Sequence, residues 1–175
     1  MLTVKEFNVF RGNSHIIRDL SFSVEKGECL HLKGKNGSGK STLLEAIAGL
    51  IPYKGEVFCE SANLCNPEDF LYDELRVKEN LELFLGEYGE PQFGVSKLLE
   101  RRVNTLSRGE KARVSLARVT LSRSSVLLFD EIASPLDSDY KEEFFKFIKH
   151  FHGSAIISSH EEITIDRSIT LCSSI

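Results

Sequence analysis

The chain lacks the features that would send it out of the cell, through a membrane or onto nucleic acid. Its four cysteines, Cys29, Cys59, Cys65 and Cys172, form no C-x-x-C pair. That leaves neither a disulfide framework nor a zinc knuckle, and reduced thiols are expected. No apolar run approaches the ~18 residues of a membrane span. The opening Met1-Leu2-Thr3-Val4-Lys5-Glu6 alternates like a strand and has no signal-peptide core. There is no basic excess: the net charge of −4 gives no general attraction to nucleic acid. Internal repeats and low-complexity segments are absent too. What remains is 175 residues, 41% hydrophobic and 27% charged. This is the composition of a globular chain, expected to form one domain over 1–175 in the cytoplasm, with docking on a membrane protein left open.

The first part reads as strands. Leu2 to Phe10 alternates, Arg11-Gly12-Asn13-Ser14 turns, and His15 to Val24 resumes before a second turn at Glu25-Lys26-Gly27-Glu28. From Glu28 onward strands and helices alternate, which predicts an α/β fold with its ligand site at the strands' carboxyl ends. The expected elements are a strand from Glu28 to Lys33, a helix from Ser41 to Leu50, and a strand from Lys54 to Cys59. A polar loop over Ser61 to Asp69 and helices over Val77 to Tyr88 and Val95 to Arg102 follow. Ser107 and Glu110 have capping-box spacing at the start of the clearest helix. Ser125 to Phe129 and Ala155 to Ile157 read as buried parallel strands. Asp137 can cap the helix between them, which Gly153 ends.

Two stretches carry chemistry. Gly34-Lys35-Asn36-Gly37-Ser38-Gly39-Lys40-Ser41, followed by Thr42, fits the phosphate-binding pattern G-x-x-x-x-G-K-[S/T]. A loop without bulky side chains can curl round a polyphosphate and point N–H groups inward, and the next helix aims its positive end at the same charge. Lys40 supplies a cation for the β- and γ-phosphates, and Ser41 a hydroxyl for Mg²⁺. The second stretch is Val126-Leu127-Leu128-Phe129-Asp130, four apolar residues and an acid, the Walker B form. Its strand would hold Asp130 where it supports Mg²⁺. Glu131 follows, a carboxylate able to polarise an attacking water.

Further motifs give a family resemblance. Leu106-Ser107-Arg108-Gly109-Glu110 resembles the LSGGQ signature of ABC-type ATPases, and it stands shortly before the Walker B strand. Ser134-Pro135-Leu136-Asp137 resembles that family's D-loop. His160, after Ile156-Ile157-Ser158-Ser159, resembles its switch histidine. Leu71 to Leu75 through Glu79-Asn80-Leu81 looks like the segment after its glutamine loop. The resemblance covers Leu2 to about His160. It implies a P-loop NTPase with a mixed sheet flanked by helices, an N-terminal antiparallel β portion and a shortened helical subdomain, with residues 66–123 including the helical and signature part. It also implies ATP and Mg²⁺, and a second nucleotide-binding domain docked head to tail. Ser107, Arg108, Gly109, Glu110 and Asp137 of one copy would then face the other copy's ATP, and His160 would donate to the γ-phosphate. Phe10 stands where the family often has an aromatic that stacks on adenine; a buried strand phenylalanine is the other reading.

Some positions depart from the family pattern. Its usual Mg²⁺-touching glutamine aligns with Asn66 or Pro67. The helical part, about Asn80 to Thr105, is short, and Ile132 stands where a proline is common. The expected function is the ATP-hydrolysing subunit of an ABC transporter, peripheral on the cytoplasmic face, with separate transmembrane subunits. The compact chain, ending soon after Ser159-His160-Glu161, resembles the ATP-binding subunit of the haem-export, cytochrome c maturation system. A soluble ABC-type ATPase and a poorly hydrolysing regulatory module are the competing expectations.

Overall fold

The structure, a computed structural model, describes residues 1–66, 71–159, 163, 165 and 167–171. The chain opens with an antiparallel hairpin of β1 (Leu2–Arg11) and β2 (Ser14–Val24), and β4 (Lys54–Phe58) completes a three-stranded sheet in the order β2-β1-β4. A second sheet is wholly parallel. It comprises β3 (Cys29–Lys33), β5 (Ala62–Cys65), β6 (Val126–Asp130), β7 (Ser154–Ser158) and β8 (Arg167–Thr170), in the order β5-β6-β7-β3-β8. The expected mixture of strand directions is therefore divided between two sheets.

The central strands β6 and β7 of the parallel sheet are buried on both faces, and their sequence shows why. In β6, Val126 and Leu128 face a core shared with the antiparallel sheet (Leu2, Val4, Phe7) and with helix α1 (Lys40–Ile47) through Leu43 and Leu44. Leu127 and Phe129 face the opposite way, onto α3 (Arg108–Leu121) and α4 (Ser138–His150) through Leu116 and Phe144. Side chains alternate along a strand, so an unbroken apolar run is what two buried faces require. The P-loop strand β3 and the Walker B strand β6 are separated by β7. All three end at the same edge, where the site forms.

Three expectations are corrected. Ala62 to Cys65 is a strand, not polar loop: it pairs in parallel with Val126 to Phe129, burying Leu64 in one core and Cys65 in the other. The helix expected from Val95 to Arg102 is replaced by two 3-10 turns, Val95–Leu98 and Val103–Thr105. The backbone there bonds across the chain, with Val77 N–H to the Arg101 carbonyl, Lys78 N–H to the Leu99 carbonyl and Val103 N–H to the Leu75 carbonyl. Those groups are then unavailable to a continuous helix. The helix expected over Val77 to Tyr88 is α2 (Val77–Leu85), stopped by Gly86 at φ 66°. Strand β8, at the sheet edge beside β3, had no counterpart in the sequence reading.

Asn80 ties α2 to the segment before it. Fully buried, it accepts from the Tyr72 N–H at 2.7 Å and donates to the carbonyls of Tyr72 and Arg76, both at 3.1 Å. Asn80→Leu keeps the branched shape but removes the acceptor of the Tyr72 N–H, at about 1–3 kcal/mol for a group left unsatisfied, while the Tyr72 and Arg76 carbonyls keep the Leu75 and Asn80 N–H groups. We expect a loss of about 1–3 kcal/mol in denaturant unfolding; an unchanged midpoint would show that the tether contributes nothing.

Candidate functional site

At the carboxyl end of β3 the chain turns through Gly34 to Gly39 into α1. A Cβ on Gly34 would lie 2.3 Å from the Ser38 hydroxyl oxygen, so the turn closes only round a glycine. Gly39 has φ 97°, and a Cβ there would meet Ile16 Cγ2 at 2.8 Å, so β2 presses against the entry to α1. The helix begins with no side-chain cap and no acid in its first turn. Its leading N–H groups and positive dipole end suit an anion. Lys40 is buried, with its ammonium donating to the Gly34 carbonyl at 2.9 Å. A cavity of about 300 Å³ is bounded by Asn36, Gly37, Gly39, Lys40, Ser41 and Thr42 of this loop, with Ile16 and Glu131. The structure thus brings the P-loop residues and the second Walker acid to one place.

The two acids are held by β7. The Ser158 hydroxyl donates to Asp130 Oδ1 at 2.5 Å and accepts from the Glu131 N–H at 3.1 Å, while the Ser158 carbonyl takes the same N–H at 3.2 Å. Glu131 needs that grip, because its φ of 53° is a left-handed conformation disfavoured for a glutamate. The strained turn aims its carboxylate at the P-loop, leaving Oε1 3.7 Å from Lys40 Nζ. Asp130 itself is buried. The pairing of Cys65 with Phe129 sets Asn66 beside Asp130 by register. The sequence reading missed Ser158; its signal is a hydroxyl ending an apolar strand that runs beside the Walker acids. His160 lies outside the described residues, as do Pro67 and Cys172. The Cys29 and Cys65 thiols are pushed up to about 12 by burial, so neither is a ready thiolate.

The signature residues gather elsewhere. The Ser107 hydroxyl accepts from the Glu110 N–H at 3.2 Å, and the Glu110 carboxylate accepts from the Ser107 N–H at 2.8 Å, the expected capping box. The Ser107 N–H, and after it the Arg101 guanidinium at 2.6 Å, hold the Glu110 carboxyl below its usual range against the opposing effect of burial. Its negative charge is therefore turned back onto its own helix and Arg101. Gly109 meets the D-loop so closely that a Cβ would lie 2.8 Å from the Pro135 carbonyl oxygen. Asp137 caps α4 by accepting from the Tyr140 N–H at 3.2 Å. Ser107, Gly109, Glu110 and Asp137 line one cavity of about 260 Å³, with Arg113 and Tyr140, while Arg108 is exposed beside Ser107. None of these residues borders the P-loop cavity.

Phe10 is not buried. It is 42% exposed, with its ring stacked on His15 at 4.1 Å between centroids.

A family model described as ABC transporter matches residues 17–134. The chain belongs to the ABC transporter family. It is 34% identical over 170 residues to the cytochrome c biogenesis ATP-binding export protein CcmA of Novosphingobium aromaticivorans, covering 92% of this chain and 89% of that one. It is 31% identical to the ABC transporter ATP-binding protein NatA of Bacillus subtilis, over 82% of this chain and 71% of the relative. Its fold matches the dimeric structure of a bacterial ABC transporter cassette with a TM-score of 0.81, covering 98% and 94% of the two chains at 21% identity. The chain is accordingly an ATP-binding and hydrolysing subunit of an ABC transporter. Among the described residues no helix is long and apolar enough to cross a membrane.

Proposed function

We propose that 1–175 acts as one nucleotide-binding domain, and that two copies hold ATP head to tail, each P-loop closed by the other copy's signature helix. The carrying observation is the division of the motifs: the P-loop with Glu131 borders one cavity, and Ser107, Gly109 and Asp137 border another. Either half alone can bind phosphate or present a helix N-terminus; both are needed to surround a γ-phosphate. Lys40 holds the β- and γ-phosphates, and the loop N–H groups from Asn36 to Thr42 surround the chain of phosphates. Glu131 accepts the proton of the attacking water, and His160 donates to the γ-phosphate.

The oxygen donors on this edge suit a hard cation. Ser41 sits at the phosphate cavity, and the buried Asp130 is held by Ser158 immediately before Glu131. Ser41 and Asp130 would hold Mg²⁺, with Asn66 a further candidate beside Asp130. Bound there, the ion neutralises charge on the phosphates. Separate transmembrane subunits take up the work. The exposed Tyr72, Leu83 and Phe84, with the Tyr72 and Phe84 rings stacked at 5.9 Å, offer them an apolar surface on and beside α2. The net charge of −4 gives no general attraction to nucleic acid.

The test is Mg²⁺-dependent ATPase activity against chain concentration. Specific activity should rise with concentration and then saturate as copies pair. A constant specific activity down to the lowest measurable concentration would sink the shared site. The similarity to CcmA favours an export step in cytochrome c biogenesis as the work driven. Loss of the gene should then abolish covalent haem staining of c-type cytochromes; normal staining would remove that reading.

A further inference from the structure

We infer that Arg113 is the positioning residue of the half-site that a copy offers in trans. It fixes the signature end of α3 against the D-loop end of α4, so that both meet the other copy's nucleotide in one arrangement. This role rests on the head-to-tail reading above. Gly109 lies against the Pro135 carbonyl but has no side chain with which to hold it. Arg113 supplies the grip.

Its guanidinium reaches three neighbours. The central carbon stands 4.2 Å over the Tyr140 ring, Nη1 donates to the Phe93 carbonyl at 3.3 Å, and Nη2 is 3.9 Å from Glu110 Oε1. The side chain is only 13% exposed, so these contacts are made largely out of water, where a cation over a ring is held most strongly. Two of the neighbours lead to the ends that face the other copy. Glu110 completes the capping box with Ser107, and Tyr140 gives its N–H to Asp137. Phe93 joins the helices themselves. It is fully buried with φ 58°, a conformation disfavoured for a bulky side chain. Its N–H donates to Glu143 Oε1 of α4 at 2.9 Å while its carbonyl takes Arg113 of α3, so one strained residue spans both. The residue after it is held to glycine, because a Cβ on Gly94 would lie 2.4 Å from the Tyr140 hydroxyl oxygen and 3.1 Å from Arg113 Nη1. A lysine would keep the charge but not the broad, many-donor head that covers a ring and reaches a carbonyl at once.

The experiment measures Mg²⁺-dependent ATPase activity against chain concentration, with ATP binding followed by calorimetry below the concentration at which copies pair. Arg113→Lys should raise the concentration for half-maximal specific activity about tenfold, the scale of a desolvated cation–π contact. Arg113 borders the signature cavity and not the phosphate one, so monomer ATP affinity should stay within about twofold of the parent. Turnover at saturating chain concentration should return to near the parent's, a split that a general weakening of the fold does not produce. Tyr140→Phe keeps the ring and should pair like the parent. Tyr140→Leu should match Arg113→Lys, and the double variant should cost less than the two losses combined. The inference is overturned if Arg113→Lys pairs like the parent, or if it loses monomer ATP affinity by the same factor. If the parent's own specific activity does not depend on concentration, the shared site falls and this role with it.

Discussion

Glu131→Gln should bind ATP as tightly as the parent and hydrolyse it at least a hundredfold more slowly, within the range general-base catalysis contributes. The substitution is nearly isosteric, so the amide side chain can still occupy the place that the Glu131 carboxylate takes, 3.7 Å from Lys40. What it loses is the basic oxygen that accepts a proton from water. The backbone is held by Ser158 through the N–H, not the side chain, so the left-handed turn should survive. With hydrolysis stopped and binding intact, the ATP-bound pair should accumulate as a dimer on size exclusion. Turnover equal to the parent's would remove Glu131 as the base. Ser158→Ala provides the complementary measurement. It leaves the carboxylate in place but removes the hydroxyl that joins Asp130 to the Glu131 N–H. Turnover should fall by a smaller factor, with the loss in kcat.

Legibility in the sequence followed the length and regularity of each element. The P-loop could be read because its spacing encodes a backbone shape: Gly34 and Gly39 sit where a Cβ would strike Ser38 and Ile16. The buried strand β6 could be read because two buried faces demand an unbroken apolar run. The caps Ser107 and Asp137 were legible because capping is local chemistry, acting within one helical turn. Strand β5 was not, since Ala62 to Cys65 is too short for a period to show and its identity comes from pairing with β6. The 3-10 turns between Val95 and Thr105 were misread because their carbonyls and N–H groups bond to residues 75–78, a long-range choice. Ser158 belongs to the same class. Its role depends on β7 lying between β3 and β6, a strand order the chain does not state locally. The place of Phe10 turned on His15, five residues on, folding back over its ring through the hairpin.

Lys40 and Ser107 should separate binding from pairing. Lys40→Ala removes the ammonium that donates to the Gly34 carbonyl and would meet the phosphates, so ATP affinity should fall at least tenfold and ATP-driven dimerisation with it. Ser107→Arg leaves the P-loop cavity untouched, because Ser107 borders the other cavity. Monomer affinity for ATP should therefore stay within about twofold of the parent, while the dimer is lost through steric obstruction at the helix N-terminus. Ser107 is also the cap of α3, and removing a cap costs about 1 kcal/mol. Ser107→Asp controls for this: aspartate caps as well as serine, yet places a negative charge where the partner's γ-phosphate must come. If Ser107→Asp is as stable as the parent, binds ATP and fails to dimerise, the defect belongs to the shared site and not to a weakened helix. If Lys40→Ala and Ser107→Asp instead lose ATP affinity equally, both residues serve one copy's own nucleotide, and the head-to-tail arrangement is wrong.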